Sequence, residues 1–384
     1  MKKILILIMI VVSFVLSSYK ISLVNAEETM SLNGNKALVM EVSSGRILYA
    51  SNEHELAYPA SMTKMMGMYL VMEAVKEEKI TMEDEVTCSY FASSMGGTQI
   101  YLEEGEKMKV EELFKAVAIN SANDAIVCLG EYVFGSNERF VEEMNKKAKE
   151  LGMKNTHFNN ATGFDDDNHY SSTYDMALIG RALVKEYPQV LAYSSLTEDY
   201  IKGNRKEDFW LVNTNKLLKH CDGMDGLKTG FTTKAGYNLT STVKRNGIRI
   251  LTVVMNEKSI QERSQDTIKL VNYGFSKLKI ERVFTKDQVI GRYVFPNSME
   301  KEVDIFLKDD LDVVLLKEED ISSLKFNMII EDVKYPLEKD SIVGKLEIVD
   351  SQENKFYYSL IIKEDVEKKS FIKIWLKNIL RWVS

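Results

Sequence analysis

Three short motifs of this chain carry side chains that could perform nucleophilic chemistry on an acyl group. Ser61-Met62-Thr63-Lys64 comes first, Ser121-Ala122-Asn123 follows 60 residues later, and Lys228-Thr229-Gly230 comes 107 residues after that. A Ser-x-x-Lys pattern occurs seven times in the chain and a Ser-x-Asn pattern twice, so neither is informative alone. The order and spacing of the three motifs within a stretch of domain size carry the signal.

The first motif supplies a nucleophile and a base. A serine hydroxyl is a weak nucleophile until a neighbouring group removes its proton. Lys64 stands three residues after Ser61, so on a helix both side chains lie on one face, and Pro59 is suited to the start of that helix. Lys64 must be neutral to act as a base, which requires burial and a second cation nearby, such as Lys228. The alternative for Ser61 and Lys64 is an ordinary pair on a helix surface.

The second motif could handle protons and hold a substrate. Ser121 can pass a proton between Lys64 and a leaving nitrogen, and Asn123 can donate to and accept from a peptide amide. Both roles require the motif to face a cleft. The alternative for Ser121 is an N-cap serine at the start of a helix.

The third motif could bind an extended peptide. Lys228 and Thr229 begin a predicted strand, and a cation beside a hydroxyl suits a terminal carboxylate. Gly230 leaves room for close backbone approach. The N–H of Phe231 would be the second oxyanion donor, beside the N–H of Ser61. A lone Lys-Thr-Gly could also be a plain strand end with a turn.

The elements that must position these motifs alternate between strand and helix signals. An early hairpin is predicted around Ser43-Ser44-Gly45, and Asn246-Gly247 is a strong two-residue turn between two late strands. Early strands, central helices and late strands predict an α+β domain in which the first and last strands pair in one antiparallel sheet, with helices packed on it. The predicted strands are Ala37–Val42, Arg46–Ala50, Leu227–Thr232, Tyr237–Arg245 and Ile248–Asn256, and the predicted helical regions are Met62–Lys76, Val110–Tyr132 and Asp175–Glu186.

A small all-β domain is predicted after residue 280. Short alternating runs recur there between turn residues, and they contain no ordered set of catalytic residue types. We therefore expect a catalytic domain at 27–280 and a spacer or docking domain at 281–366. The runs are Gln288–Phe295, Val303–Leu307, Leu311–Leu316, Lys325–Ile330, Gly344–Val349 and Phe356–Ile362.

Both ends of the chain carry features of an exported protein. Residues 1–26 have a basic start, an apolar run and small residues at Val24-Asn25-Ala26, which predicts a cleaved signal peptide, although a transmembrane anchor is the alternative. Residues 367–384 predict a basic amphipathic helix with tryptophans at its apolar boundary. Such a helix suits an anionic membrane surface, and packing on its own domain is the alternative.

Charge and metal-ligand spacing exclude several classes of function. The chain carries a net charge of −7, and residues 27–367 carry −15 once the +3 of the first 26 residues and the +5 after residue 367 are set aside. An acidic body argues against nucleic acid as a partner. The three cysteines and four histidines show no paired ligand spacing. We therefore expect no metal and no cofactor. We expect Cys128 to be a core residue.

The motifs, with their surroundings, resemble the low-molecular-weight penicillin-binding proteins that act as serine D-Ala-D-Ala carboxypeptidases. The resemblance is close over residues 30–280 and looser for the β-rich part and the tail. It implies a β-lactamase/transpeptidase-like catalytic domain with helices on both sheet faces and a helical subdomain. The stretches that carry it are Pro59–Lys64, Asn120–Ala125, Leu151–Phe158, Asp167–Ser172 and Asp225–Thr232.

The resemblance also implies roles for individual residues. Ser61 would carry the acyl group, Lys64 would be the base, and Ser121 and Lys228 would assist proton transfer. The substrate would be a peptidoglycan stem peptide ending in D-Ala-D-Ala, β-lactams would inhibit, and the protein would act on the outer face of the cytoplasmic membrane. Arg263 matches an arginine that the family uses near the substrate carboxylate.

The chain departs from the family pattern at one position, and two rival functions remain to be weighed. Some members have histidine where this chain has Phe231, which leaves the role of that side chain open. A class A β-lactamase would need a glutamate to activate the deacylating water, and the corresponding segment, His157–Thr162, has no carboxylate. Penicillin should therefore be released slowly. A non-catalytic penicillin-sensing or wall-binding protein is the second rival, and the complete set of motif residues argues against it.

Overall fold

A five-stranded antiparallel sheet organises the first part of the chain in the computed structural model, which describes residues 30–296, 298–299, 302–351 and 353–370. The first strand pairs with the last, with Leu38 opposite Val253, as the sequence predicts. In spatial order the strands are β2 (Ile47–Ser51), β1 (Lys36–Glu41), β9 (Ile248–Glu257), β8 (Gly236–Arg245) and β7 (Met224–Thr232). Strand β7, which carries the Lys-Thr-Gly motif, therefore lies at an edge of the sheet.

Helices and two small strand pairs fill the chain between β2 and β7. The α-helices are α1 (Lys64–Lys76), α2 (Tyr90–Ser93), α3 (Val110–Lys115), α4 (Asn123–Phe134), α5 (Asn137–Glu150), α6 (Thr173–Glu186) and α7 (Leu191–Ser194), followed after β9 by α8 (Ile260–Lys277). The 3-10 turns of this part are Ala60–Thr63, Pro188–Val190 and Lys216–Lys219. The paired strands are β3 (Glu85–Thr87) with β4 (Lys107–Lys109), and β5 (Glu198–Ile201) with β6 (Phe209–Val212).

Helices α6 and α8 cover opposite faces of the sheet. Gly180 of α6 lies against Leu251, and Gly274 of α8 lies against Ile250. Successive strand residues point to opposite faces, so these two neighbours separate the helices across the sheet. Both glycines allow close packing, since a Cβ at either would approach a strand side chain within 3 Å. The predicted α+β layering is thus confirmed.

The prediction of one helical region over Val110–Tyr132 is wrong, because the helix is interrupted within it. After α3 the chain makes a π-helical turn at Ala116–Asn120, and Ser121 adopts the left-handed conformation with φ 68° before α4 begins. A left-handed residue cannot continue a right-handed helix. The second motif therefore sits at a break between helices.

Helices α5 and α8 were not predicted, although each has a start signal in the sequence. Ser136 accepts a hydrogen bond from the N–H of Arg139, and Ser259 accepts one from the N–H of Glu262. The Ser-x-x-Glu spacing at Ser259 is the pattern of a capping box. This signal was available, and it locates the helix that carries Arg263.

A second set of strands follows α8 and has a hydrophobic core of its own, with Val303, Ile305, Leu346 and Leu360 among its buried side chains. The six runs predicted from the sequence correspond to six of these strands, although only three residues of the first run are in a strand, and the strand Leu278–Phe284 was not predicted. The strands are β10 (Leu278–Phe284), β11 (Gly291–Tyr293), β12 (Val303–Leu307), β13 (Leu311–Leu316), β14 (Lys325–Ile330), β15 (Ile342–Val349) and β16 (Lys355–Ile362), with a 3-10 turn at Ile321–Ser323. β10 pairs with β13, and the other five form a sheet in the order β11-β12-β16-β15-β14.

The predictions for the two ends of the chain fall mainly outside the described residues. The signal at 1–26 lies entirely outside them, and of the amphipathic helix at 367–384 only residues 367–370 are described, without helix or strand. Within the part of the chain that the structure describes, no helix combines the length and the apolar character needed to cross a membrane.

Candidate active site

The turn that carries Ser61 is packed tightly between two other segments of backbone. Ala60 has φ 48°, a left-handed value that a non-glycine residue adopts at a cost of about 1–2 kcal/mol. A Cβ at Gly230 would lie 2.6 Å from the carbonyl oxygen of Pro59, and one at Gly163 would lie 1.9 Å from that of Ala60. Only glycine fits at these two positions, so Ser61 is fixed against β7 on one side and a loop on the other.

Lys64 is placed to act as a base toward Ser61. It is the first residue of α1 and is fully buried, with Nζ 2.9 Å from Ser61 Oγ and donating to the carbonyl of Thr162 at 2.8 Å. Burial, and then the positive charge of Lys228, hold the pKa of Lys64 well below its ordinary value, against the opposing charge of Asp124. A neutral amine at this distance can accept the hydroxyl proton.

Ser121 is not the helix cap that the alternative interpretation would require. Ala122 occupies the N-cap of α4 and makes no side-chain cap. Ser121 is buried, lines the same cleft as Ser61, and its Oγ has no hydrogen-bond partner among the described residues. A buried hydroxyl without a partner is costly, so its place in the cleft suits it to exchange a proton or a hydrogen bond with a bound ligand.

Asn123 lies beside the cleft and does not line it. Its N–H donates to the carbonyl of Thr98 at 2.7 Å, and its Nδ2 donates to the carbonyl of Gly96 at 2.8 Å. These bonds fix the plane of the Asn123 side-chain amide and occupy one of its two N–H donors. The predicted contact with a substrate amide therefore remains a prediction.

Lys228 lies behind the cleft on β7. It is buried, and its Nζ donates to the carbonyl of Thr229 at 3.2 Å. Burial, and then the charge of Arg263, lower the pKa of Lys228 to about 7. The hydroxyl of Thr229 lies in the cleft and is 2.6 Å from that of Thr214.

Phe231 and Arg263 complete one end of the cleft. The Phe231 ring is half-exposed and stacks on Tyr237 with ring centroids 4.3 Å apart. Arg263 lies in the first turn of α8, is 4% exposed, and its Nε has no partner among the described residues. Burial lowers the pKa of Arg263, although a guanidinium stays charged under all ordinary conditions.

The cleft has a volume of about 430 Å³ and brings together most of the predicted site residues. Ser61, Ser121, Thr229, Gly230, Phe231 and Arg263 line it, with Lys64 and Lys228 buried next to it. The sequence reasoning missed five further lining residues, which come from separate loops and elements and carry no shared local signal. They are Thr98, Thr214, Lys216, Tyr237 and Ile260.

His169 lies close to the first motif and is structural. Its Nδ1 accepts from the N–H of Asn159 at 3.0 Å, so Nε2 carries the proton and donates to Thr63 Oγ1 at 2.7 Å. Burial lowers the pKa of His169 to about 4, so it is neutral near pH 7. Within the described residues, no group of three or more His, Cys, Asp or Glu side chains could hold a metal ion.

Comparisons with known proteins identify the family. A family model described as D-alanyl-D-alanine carboxypeptidase matches residues 23–259. The chain belongs to this family. A second model, the C-terminal domain of penicillin-binding protein 5, matches residues 279–368, which contain most of the second set of strands.

Relatives of this family match nearly the whole chain. The D-alanyl-D-alanine carboxypeptidase DacF of Bacillus subtilis is 38% identical over 90% of this chain and 89% of its own length. The solved penicillin-binding protein 5 of Haemophilus influenzae is 29% identical with a TM-score of 0.67, covering 88% of this chain and 98% of that one. Penicillin-binding protein D2 of Listeria monocytogenes, solved in an ampicillin-bound form, is 33% identical with a TM-score of 0.55 over 64% of this chain and 98% of that one.

Proposed function

We propose that this protein is a serine-type D-alanyl-D-alanine carboxypeptidase that removes the terminal D-alanine from peptidoglycan stem pentapeptides and is inhibited by penicillin. The observation that carries the mechanism is the buried amine of Lys64, with a strongly lowered pKa, 2.9 Å from Ser61 Oγ. The names of the curated relatives support the substrate and the reaction. The rival functions, a β-lactamase or a non-catalytic sensor, draw no support from these names.

The substrate would bind along the edge of the sheet. Strand β7 has an open edge on which an extended peptide can add a strand, with main-chain hydrogen bonds fixing its register. The terminal carboxylate would lie at Thr229, Lys228 and Arg263. Its negative charge would raise the pKa of Lys228 and keep that side chain cationic in the complex.

Acylation would proceed by attack of Ser61. Its Oγ bonds to the carbonyl carbon of the penultimate D-alanine as the hydroxyl proton passes to Lys64 Nζ. The N–H groups of Ser61 and Phe231 would stabilise the oxyanion. The bond to the nitrogen of the terminal D-alanine then breaks, and Ser121 relays a proton from Lys64 to that nitrogen. Free D-alanine leaves, and Lys64 is neutral again.

Deacylation would use the same base. A water oxygen bonds to the ester carbon while Lys64 takes one of its protons, and that proton returns to Ser61 Oγ as the ester bond breaks. The opened ring of a penicillin keeps its leaving nitrogen attached, so that group stays in the cleft and hinders water. The segment 157–162 supplies no carboxylate, and Thr162 instead holds Lys64 through its carbonyl. We therefore expect a long-lived penicilloyl enzyme.

The domain limits and the location belong to the same proposal. The signal at 1–26 would export the chain, residues 27–280 would form the catalytic domain, and residues 281–366 a platform. The amphipathic helix at 367–384 would hold the protein on the outer face of the membrane, close to its wall substrate.

The test is D-alanine release from a pentapeptide together with labelling by fluorescent penicillin. Ser61→Ala should abolish both, and Ser322→Ala should change neither. Ser322 is the matched control because it is exposed, lies in a 3-10 turn and begins another Ser-x-x-Lys pattern. Labelling that persists in Ser61→Ala would overturn the assignment of the nucleophile. Labelling without any D-alanine release would favour the sensor.

A further inference from the structure

The charges that face the cleft are all positive. Among the residues that line it, Lys216 and Arg263 are cationic and none is acidic, while Lys64 and Lys228 lie directly behind. Residues 27–367 together carry a net charge of −15, so the positive lining of this cleft is opposite in sign to the net charge of the surrounding protein. Arg263 and Lys228 are buried and have roles in the proposed function. Lys216 has none there.

The backbone that carries Lys216 is rigidly held. Asn213 is buried and donates from Nδ2 to the carbonyl of Leu196 at 2.8 Å, and its Oδ1 accepts from the N–H of Asn215 at 2.8 Å. Asn215 in turn caps the 3-10 turn Lys216–Lys219, accepting from the N–H of Leu217 at 3.1 Å. Lys216 therefore projects from a fixed point on the wall of the cleft.

Lys216 lines the cleft close in sequence to a residue that contacts Thr229, where the proposed function places the substrate carboxylate. Thr214, two residues earlier, has its hydroxyl 2.6 Å from that of Thr229. The Lys216 side chain is exposed, and within the described residues its ammonium has no ion pair or hydrogen bond. An unpaired, exposed cation that lines the same cleft as the Thr229 hydroxyl is suited to attract and hold an entering carboxylate.

We propose that Lys216 is an outer carboxylate-binding residue, which draws the anionic group of the substrate into the cleft before Lys228, Thr229 and Arg263 take it. This inference rests on the proposed function and adds a specificity determinant to it. An exposed pair contributes up to about 1 kcal/mol, or about fivefold in an equilibrium constant, and electrostatic attraction of this kind weakens with salt. The contribution should therefore appear in KM and leave kcat nearly unchanged.

The chain offers a matched control in Lys219. It lies in the same 3-10 turn, is also exposed and carries the same charge, but does not line the cleft. The experiment compares Lys216→Gln, Lys216→Arg and Lys219→Gln with the wild type on diacetyl-lysyl-D-Ala-D-Ala, in which the terminal carboxylate is the only anion. The same peptide with a C-terminal carboxamide, and one with glutamate in place of the diacetyl-lysine, distinguish the terminal carboxylate from an upstream one.

Lys216→Gln should raise KM about fivefold on the acid peptide at low salt, with a smaller effect in about 0.5 M salt. Lys216→Arg should restore KM, and Lys219→Gln should match the wild type. A loss on the acid peptide with no loss on the carboxamide assigns Lys216 to the terminal carboxylate. A loss confined to the glutamate peptide would assign Lys216 to an upstream carboxylate and overturn the proposal. Equal KM values for Lys216→Gln and wild type on the acid peptide, equal losses for Lys216→Gln and Lys219→Gln, or equal losses on the acid and the carboxamide would also overturn it. Wild-type protein that neither releases D-alanine nor binds fluorescent penicillin would instead overturn the proposed function.

Discussion

The cations of the β-rich part and those of the cleft lie in opposite electrostatic surroundings. In the β-rich part, Arg282 pairs with Asp310 and Asp312, and Arg292 pairs with Asp304. Around the cleft, Lys64 and Lys228 are buried with no carboxylate in contact among the described residues, and their pKa values fall. Paired cations keep their protons and add modestly to stability. Buried amines without such a partner cost stability, and their lowered pKa lets them release a proton more readily than an ordinary lysine.

The largest effect should follow from removing the base. Lys64→Met keeps the side-chain length and removes the amine, so penicillin acylation should slow by at least about 10³-fold, at the upper end of the range for a lost general base. The variant should unfold at an equal or higher temperature, because a buried amine is replaced by an apolar group. Stopped-flow acylation and thermal unfolding provide the two measurements. A fully active Lys64→Met would contradict the assigned base.

Removing a buried, ion-paired cation should instead lower the free energy of unfolding and leave activity nearly unchanged. Arg46 is 4% exposed and joins the early hairpin to the β-rich part by ion pairs with Glu319 and Asp350, the latter at 2.9 Å. Arg46→Met leaves two acidic groups without their cation, so the free energy of unfolding should fall by about 3 kcal/mol. Urea unfolding measures this loss. Acylation by penicillin should stay near the wild-type rate, and a large fall in that rate would show that the pair also supports the cleft.

The lowered pKa of Lys228 predicts a pH dependence of stability with a definite sign. Between about pH 7 and the ordinary lysine pKa, the unfolded chain binds a proton at this position that the folded protein has released. The free energy of unfolding should therefore rise with pH in this window, by up to about 1.4 kcal/mol per pH unit for one proton. Lys228→Met should flatten the rise. Identical pH profiles for the variant and the wild type would show that Lys228 keeps its proton.

The smallest effect should come from an exposed pair in the β-rich part. Arg292 and Asp304 are both largely exposed, with N and O atoms 2.9 Å apart. Arg292→Ala should change the free energy of unfolding by no more than about 0.5 kcal/mol, because solvent screens such pairs. Urea unfolding of this variant beside Arg46→Met tests whether burial decides the cost of losing a paired cation.

That Ser61, Lys64 and Lys228 lie together at a cleft could be predicted from the sequence because the motif spacing is local. Ser61 and Lys64 share one turn of backbone, and the rarity of Lys-Thr-Gly located Lys228. Strand pairing between the early and late strands also followed from alternation and turn residues. These features depend on neighbours in the chain, which a sequence displays directly.

The remaining parts of the site depend on contacts between distant segments. The left-handed Ser121 follows a π-helical turn that no propensity indicates, and the predicted helix runs straight through it. Thr214 and Tyr237 reach the cleft only because the chain folds back onto β7. Lys216 looks like any surface lysine in the sequence, and only the fold shows that it lines the cleft.

The open edge of β7 has a consequence for how the protein is kept in solution. An unpaired strand edge can join the edge of another molecule, and many proteins cover such edges to avoid aggregation. Here a cover along the edge would also shut out a peptide that binds as proposed. The Ser61 turn packs against Gly230 on the face of the strand, so it screens part of β7 while the hydrogen-bonding edge has no partner strand among the described residues.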